Sequence, residues 1–87
     1  NPTIVIAYPD GRFGLKLPGD ERPRIVDPAQ LEALLRPIRA QQGDAFRVLV
    51  AAEGEAPYQR VLDAMAALRR ANVTNVSLMT DAGSNAR

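Results

Sequence analysis

The chain has no cysteine and no histidine. Without cysteine there is no disulfide, no thiolate metal site and no thiol nucleophile. Without histidine the usual neutral-pH general base is missing, and with it the common hydrolase triads and most zinc and iron sites. These absences point away from an enzyme and leave no metal or cofactor to expect. Aromatics are scarce as well, at 2 Tyr, 2 Phe and no Trp, too few for the stacking platforms of nucleic-acid binders. A net charge of +1 creates no long-range field for nucleic acid or anionic lipid. Nowhere do roughly eighteen apolar residues run together, so any membrane anchor is expected upstream of Asn1, the chain reading as a processed product or a fragment.

What is present suffices for one small globular unit. The chain has 87 residues and is 46% hydrophobic, which rules out two independent cores but allows one modest one. Thr3 to Ala7 is β-branched and apolar and runs into Tyr8-Pro9-Asp10-Gly11, where proline presets φ and glycine accepts a positive value. From Arg12 to Leu17 the pattern alternates, with Phe13, Leu15 and Leu17 on one side, so the pair reads as a β-hairpin. Pro18 to Val26, rich in proline and charge, reads as a surface loop.

Asp27-Pro28-Ala29-Gln30 has the form of a helix start, with an acceptor at the cap, proline where its missing N–H costs nothing, and glutamine at the third position. Leu31, Leu34, Leu35 and Ile38 continue it as one apolar stripe to about Ala40, with Gly43 beyond. Pro37 predicts a kink or an early end near Arg36. Arg47 to Ala51 reads as a short strand apolar on both sides. Pro57 then opens a second helix whose apolar side is read as Tyr58, Val61, Leu62, Met65 and Leu68. Arg69 and Arg70 suit its carbonyl end, and Asn72 can take the left-handed conformation that closes it. Asn75 to Thr80 is the last strand.

The expected architecture is therefore α/β, a two-layer sandwich in the order β-β-α-β-α-β, with a mixed sheet and both helices on one face. Residues 1–80 form the single domain and residues 81–87 a disordered tail. Val5, Leu49 and Met79 alternate with residues that would face the helices, so they are expected on the uncovered sheet face and suggest a homodimer. The two terminal strands are the candidates for pairing with a partner at a sheet edge, Leu78 among their residues.

Other features have plainer readings. Gly11-Arg12-Phe13-Gly14 suggests an RNA clamp only out of context and fits a glycine-bearing hairpin better. Glu53, Glu55 and Asp63 could group as ligands or as an acid/base pair, but acids near a helix N-terminus explain the first two. The two Asn-x-Ser/Thr sequons, at Asn72 and Asn75, fall on a helix cap and a strand entry.

Three segments are similar to the periplasmic domain of the ExbD/TolR family: Val48-Leu49-Val50-Ala51-Ala52-Glu53; then Pro57-Tyr58 with a helix bearing Val61, Met65, Leu68 and Ala71; then Val76-Ser77-Leu78-Met79-Thr80. The family resembles this stretch in having a strand that ends in a basic residue, alanine and aspartate, a tyrosine five positions later, and a helix closing on glycine. Here Ala51 stands in place of the basic residue, Glu53 of aspartate, Ala66 of a helix aspartate, and Asn72 of glycine. The resemblance implies a non-enzymatic periplasmic domain of a single-pass inner-membrane protein. Such a protein would sit beside an ExbB/TolQ-like channel and pass proton-motive force to a TonB- or TolA-like partner, with peptidoglycan as a further partner in the TolR-like branch. Partner contact is expected at Glu53, Tyr58 and Leu78. The competing expectation is a small α/β interaction module unrelated to energy transduction.

Overall fold

A computed structural model describes residues 2–79. Its elements are β1 (Thr3–Ala7), β2 (Phe13–Lys16), β3 (Arg24–Val26), α1 (Pro28–Gln42), a 3₁₀ turn (Gly43–Ala45), β4 (Arg47–Ala52), α2 (Tyr58–Arg70) and β5 (Asn75–Leu78). The five strands form one mixed sheet in the order β3-β2-β1-β4-β5. β1 pairs antiparallel with β2 and parallel with β4, and β4 pairs parallel with β5. Both helices pack on one face, which makes the two-layer sandwich the alternation predicts. The expected tail and the last residue of the expected strand, Thr80, lie outside the described residues.

The register fixes which side chains reach the helices. Val5 stands opposite Leu15 on one side and Val50 on the other, and Ala7 opposite Phe13 and Ala52. Thr3, Val5, Ala7, Phe13, Leu15, Val48 and Val50 are all buried. The other face carries Ile4, Ile6, Lys16, Leu49 and Ser77 in matching rows. This corrects the expected dimer face in one member. Leu49 is on the open side, and Met79 follows Leu78 onto it by alternation. Val5, at 0% exposure, belongs to the core. Thr3-Ile4-Val5-Ile6-Ala7 is apolar in both phases, so only the pairing with β4 decides which phase turns inward.

Three further expectations change. Arg24–Val26 forms an edge strand against β2 within what read as loop; only Val26 of the three is buried, so no alternation announces it. β1, expected as a possible edge, is the middle of the sheet. α1 passes through Pro37 without ending. Pro37 and Ala33, one turn back, are both exposed, so the carbonyl deprived of its donor is open to water.

The helix ends follow local chemistry. At the start of α1 the Asp27 carboxylate accepts from the Gln30 N–H at 2.8 Å while the Gln30 side chain accepts from the Asp27 N–H at 3.0 Å, a complete capping box. α2 closes on Asn72 at φ 69. Asn72 N–H donates to Arg69 and Val73 N–H to Leu68, both at 2.9 Å, and buried Leu68 and Val73 complete this Schellman closure.

Candidate functional site

α2 is rotated relative to its bulky residues. Its buried positions are Val61, Ala64, Ala67 and Leu68, an alanine-rich stripe that suits close approach to α1 and the sheet. Tyr58 and Leu62 fall outside it, at 69% and 40% exposure, and Met65 packs only at its border. The expected placement of the Tyr58 ring on the core side is thus overturned: among the described residues it stands exposed.

The three expected partner-binding residues share one end of the sheet. Glu53 follows β4 directly; its N–H donates to the Ala7 carbonyl at 2.9 Å, and its carboxylate is exposed. Tyr58 opens α2 a few residues later. Leu78, 47% exposed, pairs with Val50 just before that loop. Between Glu53 and Glu55, Gly54 turns the chain at φ 59, a conformation that suits glycine. Leu62 was missed as a surface residue because its i+4 spacing from Tyr58 reads equally well as core.

β5 is an edge: among the described residues its one strand neighbour is β4. Met79 N–H donates to the Val50 carbonyl at 2.7 Å. Because backbone direction alternates along a strand, Val76 and Leu78 then turn their N–H and C=O groups outward, away from β4. These are main-chain groups for which an extended partner is the natural complement.

The arginines have structural work. Arg36 donates to the Arg70 carbonyl at 2.8 Å and Arg39 to that of Asn72 at 2.6 Å, so two guanidiniums from α1 satisfy carbonyls that the end of α2 leaves free. Glu32 bonds Arg70 at 3.1 Å and also pairs with Arg36. The hydrogen bond from Arg70, followed by that from Arg36, holds the Glu32 carboxyl below the ordinary glutamate value of 4.5. A groove of about 430 Å³ runs beside these residues and is lined by Arg36, Arg39, Arg69, Asn72 and Val73, among others. The guanidiniums of Arg36 and Arg39 are already turned to carbonyls.

A larger groove, about 640 Å³, opens at the opposite end of the sheet between Pro2, Leu17, Ile38, Gln41, Phe46 and Leu49. Among the described residues Arg47 is the one ionisable member of its lining, which offers no acid/base pair. Among the described residues there is no group of three or more potential metal ligands and no helix long and apolar enough to cross a membrane. Among the described residues the geometry offers an outer strand edge, an exposed helix flank near it, and a sheet face that no helix covers.

No curated protein matches the chain. The family profile described as biopolymer transport protein ExbD/TolR matches residues 3–83, which takes in the hairpin and α1 as well as the stretch from Arg47 to Thr80. With nearly its whole length matched, the chain belongs to the ExbD/TolR family of biopolymer transport proteins.

Proposed function

We propose that this is the periplasmic domain of an ExbD/TolR-like motor subunit, held by a single inner-membrane span beside an ExbB/TolQ-like channel. It acts without catalysis of its own, helping to couple proton-motive force to a TonB- or TolA-like partner, with peptidoglycan as a second contact if it works as the TolR branch does. The observation that carries the reading, beyond family membership, is the free edge of β5. There Val76 and Leu78 turn backbone groups outward that pair with no other strand among the described residues, next to Glu53 and Tyr58, and an extended partner segment can add a strand.

The test uses a synthetic segment of a TonB- or TolA-like protein in unmodified and backbone-methylated forms. The amides of Val76 to Met79 should shift with the first peptide and stay in place with the second, since methylation removes the donors a ladder needs. Equal binding by both peptides rules out strand addition.

Two copies of the domain would associate through the open sheet face, where Leu49 and Met79 lie beside Ile4 and Ile6. Sedimentation of the wild type against Met79→Asp tests this. The wild type should self-associate more strongly than the variant, and a wild type that stays monomeric up to millimolar concentration removes the idea.

A further inference from the structure

Tyr58, Leu62, Leu78 and Met79 are four of the six large apolar residues that stand exposed among those described. All four lie on β5, on the residue after it, or on α2. Tyr58, Leu62 and Met65 recur at i, i+4 and i+7, so they form one row along the helix. That row borders the buried stripe on one side. Ala67 and Arg70 lie towards the other side, where Arg70 is tied to Glu32 of α1. α1 contacts β2 and β3, whereas α2 contacts β4 and β1. The Tyr58 row therefore faces away from α1, towards the β5 edge of the sandwich.

On β5 the same two residues serve both chemistries. Val76 and Leu78 turn their backbone groups away from β4, to the edge. Their side chains share the helix-facing side with Val48 and Val50, their partners in the register. A strand added outside β5 would place every second side chain on that side, the side on which the Tyr58 row borders the β5 edge.

We infer that the flank of α2 formed by Tyr58, Leu62 and Met65 is a side-chain-reading part of the partner site, selecting an extended segment with large apolar residues at alternate positions. This rests on the strand-pairing reading above and adds a sequence requirement to it. The charges at the two ends of the flank give the segment a polarity. Glu53 and Glu55 lie where α2 begins, and Arg69, one turn beyond Met65 in the same row, lies where it ends. The complementary segment carries a basic residue at the first end and an acidic one at the second.

The test uses two synthetic peptides of about eight residues, near the usual strand length. Both contain valine and serine with a terminal lysine and a terminal glutamate. In one the valines alternate with serines; in the other the same residues are grouped in two blocks. Titrated into the isotope-labelled domain, the alternating peptide should bind about tenfold more tightly and shift amides in both Val76–Met79 and Tyr58–Met65. Leu62→Ala with Tyr58→Ala should remove most of that preference while leaving the denaturation midpoint near wild type, since both side chains are exposed. Equal binding of the two peptides with shifts on β5 overturns the inference and leaves strand pairing standing. Absence of shifts on β5 with either peptide overturns both. Concentration-dependent shifts of Tyr58 and Leu62 in peptide-free samples would make a second copy of the domain the occupant and overturn the inference in another way.

Discussion

Phe13→Ala should destabilise the domain by about 3–5 kcal/mol, the range for large aromatic truncations in cores. Phe13 is fully buried on β2, with Ala7 opposite it on β1 and Val26 opposite it on β3. Both neighbours are small and held by strand pairing, so neither can move into the space the ring leaves. The cost should therefore sit high in that range. A domain of this size typically has only ~5–15 kcal/mol in total, and the variant should unfold at a much lower urea midpoint with the slope little changed. A loss under ~1 kcal/mol would show that the ring is not packed between the helices and the sheet.

Gly14→Val should destabilise by about 1–3 kcal/mol through overpacking, although valine is the better strand former. Gly14 sits one residue from Phe13 and points to the opposite face. A Cβ there would stand 2.8 Å from the Tyr8 hydroxyl and 3.1 Å from both the Tyr8 ring edge and Pro23. The requirement here is space, because Tyr8 and Pro23 fold back over the strand. Tyr8→Ala removes part of the obstruction, so Gly14→Val made in that background should cost less than it does alone. Strict additivity in chemical denaturation of the four proteins would mean that Tyr8 does not cover Gly14.

Much of this architecture could be read from local chemistry. Asp27 with Gln30, Asn72 after the second helix, and glycine with proline at the first turn each settle their own backbone, so they predict boundaries well. Errors arose where a neighbour distant in sequence decides. β1 is apolar in both phases, and Val5 turns inward because Val50 does. β3 exists because Phe13 needs Val26 beside it. α2 turns its alanines inward because α1 approaches closely, which leaves Tyr58 and Leu62 outside although their spacing suits a core. Pro37 is tolerated because α1 is held on both sides of it, through Arg36 and Arg39 to the end of α2. The proposed partner site is legible in part: the sequence offers Glu53, Tyr58 and Leu78 for it, while Leu62 enters only once the rotation of the helix is known.

The sheet order also sets how the domain would carry a load. β1, β4 and β5 lie side by side and run in the same direction, so the start of β1 and the end of β5 are at opposite ends of the sheet. Tension applied between those two points acts along the strands, and the ladder bonds of β1 with β4 and of β4 with β5 are loaded in shear together. The antiparallel β2–β3 edge, where bonds would fail one after another by peeling, lies outside that path. A domain pulled through β1 against a partner seated on β5 would thus transmit force across its longest ladder, with the weakest strand outside the path.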